Sequence, residues 1–253
     1  MMGPEHDEMT KQLDDPDDLE IRVLTDPADL RRLVVLFNQV WGTITPLVGV
    51  ELLRAIGHTG GYISGAFTQN RMVGGSLAFL GRHHDEVALH SHITGILPGV
   101  RQTGLGRLMK LHQRAWAAEQ GLRWITWTFD PLVRRNAWFN IGVLGAQIDA
   151  YLVDFYGQMD DSINGSDPSD RLLVAWSTAG PPPDHLAPPA VPPGAIAVAT
   201  PEDIIVLRRT DPTEASAWRL RVREELGTEL TSGGRVVGFT RDGAYLVLPA
   251  PAD

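Results

Sequence analysis

The stretch Ile96-Leu97-Pro98-Gly99-Val100-Arg101-Gln102-Thr103-Gly104-Leu105-Gly106 constrains this chain more than any other. It lies between a β-prone run at 87–96 and a helical pattern at about 104–120, so a strand must hand over to a helix through a glycine-rich turn. Glycines at a helix start let the backbone come close to a ligand. The first N–H groups of the helix have no partner within it and, with the helix dipole, make an anion site. A pyrophosphate would fit there. No Gly-Lys-Ser/Thr follows, so this is not a Walker loop, and Gly-Leu-Gly alone does not meet the six-residue dinucleotide fingerprint. Taken without context, the same residues also suit an ordinary strand-to-helix connection.

The surroundings alternate strands and helices. Residues 20–24 place Ile21 and Val23 inward and Arg22 outward, as a half-buried strand does. Asp26-Pro27 then opens a helix with Leu30, Leu33, Val34, Phe37 and Trp41 at helical spacing. A short helix at 50–56 precedes two extended runs, 62–68 and 72–80, that flank Gln69-Asn70-Arg71 as a hairpin. The helix after the turn carries Leu105, Leu108, Met109, Leu111, Ala115 and Trp116 as its apolar stripe. Beyond it come a strand at 124–129, a helix at about 135–144 and strands at 147–154 and 171–177, the last two separated by an Asp/Ser/Gly-rich loop at 160–170. From 180 to 193, seven of fourteen residues are proline, a density that forbids helix and marks a linker. The remainder reads as extended runs at 196–199 and 204–207, a helix at 213–226 and a hairpin of 235–240 with 245–248. The expected organisation is an acidic disordered tail over 1–18, an α/β domain over 19–178, a Pro-rich linker over 179–194 and a small α+β module over 195–253. A module of that size needs a further surface to pack on.

Charge excludes some functions. The 253 residues carry a net charge of -9, and the first twenty hold eight acids against one base, so the rest is nearly neutral. Such a chain lacks the positive surplus that neutralises phosphates, and nucleic acid is not an expected partner. The absence of cysteine removes disulfides, thiolate zinc sites and thiol nucleophiles together. No window approaches about 20 apolar residues, and the first residues are neither basic nor apolar, so no membrane partner and a cytoplasmic location are expected.

The pattern apolar-x-Pro-x-x-Arg-x-x-Gly-x-Gly, after a hairpin and strand and before a helix, resembles the GNAT acyltransferase superfamily over residues 20 to about 177. The tail residues Ala217, Trp218, Arg219, Arg223 and Glu224 resemble a bacterial GNAT group with a C-terminal extension. The resemblance implies a GNAT-type mixed, mostly antiparallel sheet with flanking helices, and acyl transfer from acetyl-CoA, or another acyl-CoA, to a small primary amine without a metal. It implies that Arg101, Gln102, Thr103, Gly104, Leu105 and Gly106 hold the pyrophosphate. Backbone groups of Thr94 and Ile96 would pair with the pantetheine arm, and Asn136 would sit near that arm, or else cap its helix. A homodimer is a reasonable assembly.

Acid and base candidates follow. His90, His92, Thr94 and Ile96 lie two apart and would share one strand face. In the family a general base often sits six positions before the residue equated with Ile96, which here is His90. The aralkylamine acetyltransferases, which this chain resembles more closely still, have histidines six and four positions before it, matching His90 and His92. An imidazole near pKa 6.5 suits removal of the ammonium proton. The pair could equally be hydrogen-bonded within the sheet; a His-x-His strand can also bind zinc, but no spaced partner ligand accompanies it. Many relatives place an acidic tyrosine where this chain has Val143, so Tyr156, with Tyr151 as the other nearby phenol, is the candidate acid. Trp124, Trp127, Phe129 and Trp138 could line an acceptor pocket or belong to the core. Two rival functions keep the same turn: a non-catalytic acyl-CoA sensor, and an acyltransferase acting on a protein N-terminus or lysine.

Overall fold

The computed structural model describes residues 18–100, 103–157, 167–182 and 191–251. The acidic tail up to residue 17 and the centre of the Pro-rich segment lie outside the described residues. The chain forms two compact units, residues 1–125 and 126–253. Among the described residues each unit holds paired β-strands, and the second also holds a separate three-stranded sheet.

The first unit contains β1 (Leu19–Val23), α1 (Pro27–Trp41), α2 (Val50–His58), β2 (Tyr62–Thr68), β3 (Arg71–His83), β4 (Glu86–Ile96) and α3 (Leu105–Glu119). Strands β1 to β4 pair in chain order, all antiparallel. The hairpin turns on two residues, Gln69 and Asn70, both at positive φ, the geometry whose twist matches paired strands. Helix α1 starts as expected: the Asp26 carboxylate accepts from the Ala28 N–H at 2.6 Å, Pro27 opens the first turn, and Gly42 closes the helix in the left-handed region. Its Leu30, Leu33, Leu36 and Phe37 pack on Ile63, Phe67 and Leu77 of the sheet and on Leu53 of α2. A second cluster on Ala66 and Val73 packs with Leu105 and Met109 of α3. The sheet therefore has α1 and α2 on one face and α3 on the other.

The second unit holds most of β5 (Trp124–Phe129), a turn of helix α4 (Arg134–Ala137) running into a π-helical turn (Trp138–Val143), β6 (Gln147–Leu152) and β7 (Arg171–Ser177). Then come β8 (Ile196–Ala199), α5 (Ile204–Thr210), α6 (Pro212–Val222), a π-helical turn (Arg223–Gly227), α7 (Thr228–Thr231), β9 (Arg235–Phe239) and β10 (Ala244–Leu248). β7 lies between β5 and β6, and the small sheet has the order β8-β10-β9. The run at 204–207 is helical, not extended. Its β-branched residues read as a strand, but Asp203 accepts from the N–H groups of Ile205 (2.9 Å) and Val206 (3.1 Å) and nucleates a helix. The C-terminal segment shares its compact unit with residues 126–177. Arg219, completely buried, pairs with Asp130 and Asp167; Arg208 joins both carboxylates; Arg223 pairs with Asp170. The Tyr245 hydroxyl donates to the Pro131 carbonyl at 2.7 Å.

Candidate active site

Strand β4 runs regularly along β3 as far as Ser91 opposite Ala78, and the ladder resumes with Ile93 opposite Leu77. His92 is skipped. A bulge of this kind adds one residue to one strand and reverses the in-out parity beyond it. The expected common face of His90, His92, Thr94 and Ile96 is therefore corrected. His90 lies opposite Phe79 and Ile93 opposite Leu77, whereas Ser91, Thr94 and Ile96 lie opposite Ala78, Ser76 and Gly74. A Cβ on Gly95 would meet Trp41 of α1 at 2.7 Å, and one on Gly74 would meet Met109 of α3 at 2.8 Å, which assigns the faces. Thr94 and Ile96 point to the α3 side, His90 to the α1 side.

The two imidazoles sit close together on this strand. Their ring centres are 6.3 Å apart, at 5.2 Å (His90) and 5.5 Å (His92) from the Phe79 ring. Burial pushes His90 down to about 4, helped by the neighbouring His92 and Lys110 charges, and burial also lowers His92. The ordinary value of 6.5 assumed from sequence does not hold in this setting. Burial thus favours the neutral form of both rings.

Beyond Ile96 the chain makes a 3-10 turn, Pro98–Val100, and the Thr103 hydroxyl donates to the Val100 carbonyl at 3.0 Å. Arg101 and Gln102 lie outside the described residues. Gly104 caps α3 at φ +83°, where an L side chain is strained, and a Cβ there would meet nothing within 4 Å. Among the described residues no side chain caps the helix, and no acidic residue occupies its first turn. Its end is thus electropositive, with Leu105 anchored in the core beneath.

No protein-family model and no curated protein matches the sequence. Among solved structures the chain is similar to the N-acetyltransferase of Staphylococcus aureus Mu50, at 11% identity and TM-score 0.51, covering 63% of this chain and 98% of that one. It is similar to the ribosomal-protein-S18-alanine N-acetyltransferase of Escherichia coli, at 12% identity and TM-score 0.50, covering 64% and 96%. Arabidopsis thaliana Naa50, solved with the bisubstrate analogue CoA-Ac-MVNAL, matches at 16% identity and TM-score 0.50, covering 63% and 99%. The chain has the GNAT fold. Identities this low speak for architecture, and the chemistry has to be argued from the residues.

The remaining candidates belong to the second unit. Asn136 is exposed within α4, and its N–H donates to the Val133 carbonyl at 2.8 Å. Val133, not Asn136, caps the helix. The Tyr156 hydroxyl shares a hydrogen bond of 3.1 Å with Thr128, its N–H donates to the Ser169 hydroxyl at 2.8 Å, and the Arg171 guanidinium lies 5.4 Å from its ring centre. Tyr151 donates to Asp170 at 2.7 Å, and burial together with that carboxylate raises its pKa, so it holds its proton firmly. Trp127 is buried against Trp176 and donates to the Asn140 side chain at 3.1 Å, which makes it core.

Four polar residues that sequence reading passed over are buried beside β4. Lys110 Nζ donates to Ser91 Oγ at 2.8 Å and to Gln113 Oε1 at 3.2 Å; Gln113 Nε2 donates to Ser76 Oγ at 3.3 Å. The buried stripe of α3 is Leu105, Met109, Lys110, Gln113, Arg114 and Ala117, while Leu108, expected inward, is 43% exposed. The signal was there: Leu105, Met109, Gln113 and Ala117 recur every four residues, a period that placing the hydrophobic letters inward obscures.

Proposed function

We propose that this protein is an acyl-CoA-dependent N-acyltransferase, transferring acetyl from acetyl-CoA to a primary amine by direct attack. The observation that carries this reading is the succession of a bulged strand and a helix opened by Gly104 in the left-handed region. The first offers main-chain groups to an extended arm, the second offers N–H groups and a dipole to a pyrophosphate. Thr94 and Ile96 would hold the arm; Arg101, Gln102, Thr103, Gly104, Leu105 and Gly106 would hold the phosphates, and Asn136 is kept as a further contact. Acyl-CoA supplies the activated acyl group as a thioester.

The residues act on protons and charge. The amine nitrogen bonds to the carbonyl carbon, and the neutral His90, directly or with His92, accepts the ammonium proton. A strand N–H at the bulge stabilises the oxyanion. The carbon–sulfur bond then breaks, and Tyr156 is the candidate that protonates the thiolate. The products are the N-acyl amine and free CoA. With no cysteine in the chain, direct transfer is simpler than an acyl-thioenzyme.

The test measures acetyl-CoA affinity alongside turnover over a panel of small amines, N-terminal peptides and lysine peptides. Transfer to a small amine supports the reading; tight binding without transfer to any acceptor replaces it with a sensor, and transfer confined to peptides moves the acceptor class. Gly104→Glu should abolish CoA binding, because it forces a side chain into a positive-φ position and puts a carboxylate where phosphate belongs. Retained affinity would refute the turn.

A further inference from the structure

We infer that Lys110 and Gln113 are positioning residues that fasten the β4 bulge from α3 and thereby set the geometry of acyl transfer, an inference resting on the proposed acyltransferase reading. Ser91 and Thr94 are three apart, and in a regular strand they would face opposite sides. Only because the ladder skips His92 do both turn toward α3. On that helix Lys110 and Gln113 are also three apart and stand on one face. Lys110 Nζ reaches Ser91 Oγ before the bulge at 2.8 Å and links to Gln113 Oε1 at 3.2 Å. Gln113 Nε2 reaches Ser76 Oγ at 3.3 Å, which contacts Thr94 Oγ1 after the bulge at 2.9 Å and the Ile93 carbonyl at 3.2 Å.

One assignment of protons satisfies Ser76 fully. Its hydroxyl accepts from Gln113 and from Thr94 and donates to Ile93, using both lone pairs and its single hydrogen. The chain of bonds thus closes around the skipped residue, on the side of the sheet away from His90. Without the bulge, Ser91 and Thr94 could not both be reached from one helix, so the network favours the bulged register over the regular one. Ser76, Ser91, Lys110 and Gln113 are buried, where an unmade hydrogen bond is costly and a complete network rigidifies. The helix that carries it also carries Gly104 at its start, so the phosphate end and the reacting end of the site share one rigid element.

Lys110→Met and Gln113→Leu in the full chain test this by amide hydrogen exchange over residues 89–96, CoA affinity, and kcat against KM for acetyl-CoA. Exchange over the bulge should rise about tenfold or more, kcat should fall about tenfold or more, and CoA affinity should stay within about twofold, since misplacement costs turnover and leaves phosphate binding alone. A structural role alone would lower thermal stability without splitting kcat from CoA affinity. Ser76→Ala, a smaller change at the centre of the network, serves where a variant does not fold. Unchanged exchange in the folded variants overturns the fastening, and raised exchange with unchanged kcat overturns its bearing on transfer. If the wild type acylates no amine, the acyltransferase reading fails, and the exchange data still decide the fastening on their own.

Discussion

Each compact unit buries a long cation, and the two do so by opposite means. In the first unit Lys110 meets a serine hydroxyl and a glutamine oxygen, both neutral, and burial pushes its ammonium down to about 7. In the second, Arg219 is held two-pronged by Asp130 (2.8 and 3.0 Å) and also by Asp167 (2.8 Å). Burial lowers its pKa too, but the two carboxylates more than reverse that, and it stays charged. A buried guanidinium fits carboxylates in a fixed fork, whereas an ammonium titrates readily when desolvated. One arrangement locks a fold together; the other leaves a group whose charge can be removed.

The largest effect should come from breaking the locked side. Arg219→Met leaves Asp130 and Asp167 buried with one fewer counter-ion, and should cost about 3–5 kcal/mol in urea unfolding. A cost below about 1 kcal/mol would show that Arg208 and Arg171 suffice for Asp130 and that the two clusters differ less than their geometry implies. The next effect is the acid limb. Burial would raise the Asp130 carboxyl, but Arg219 and Arg208 hold it down to about 2. Its folded pKa lies below the unfolded value near 3.8, so the stability it contributes is complete above about pH 4 and is lost as pH falls toward 2. Asp130→Asn should flatten that part of the stability–pH curve.

Lys110→Met should behave differently. Removing a buried ammonium relieves its desolvation, while Ser91 and Gln113 lose a donor, so the two terms offset and stability should stay within about 1 kcal/mol of wild type. The folded pKa is below the unfolded one, and between about 7 and 10.5 the unfolded chain binds the extra proton. Wild-type stability therefore rises across that window relative to Lys110→Met. A difference curve flat from pH 7 to 10.5 would mean that Lys110 is not desolvated in solution.

How much of this was legible depended on whether the signal was local. Asp26-Pro27 before an apolar period, Gln69-Asn70 between two β runs and Gly104 before a helix are short-range instructions, and each produced the expected feature. The run at 204–207 misled because four apolar letters outweighed one capping aspartate. The bulge was not legible at all, since nothing in Ser91-His92-Ile93 announces that the ladder skips a residue. Register is decided by partners on β3 and α3. With it went the shared face of His90 and Thr94, so the candidate residues were found while their arrangement was not.

His90 gives the smallest and most diagnostic difference, because its residue is only partly buried. Burial first, then the His92 and Lys110 charges, bring it to about 4, below the unfolded value of 6.5. Between those values the unfolded chain binds the extra proton, so the contribution of His90 to stability rises from pH 4 to 6.5 and is level above it. His90→Gln should remove that rise and lower kcat. For a base with this pKa, kcat/KM of the free enzyme falls on the acid side near 4 and is flat through neutrality. An acid limb near 6.5 that disappears in His90→Gln would show a solvated imidazole and undo the burial argument. A limb that survives the substitution unchanged, with kcat intact, would remove His90 from the chemistry and leave His92, the residue skipped by the ladder, as the base to test.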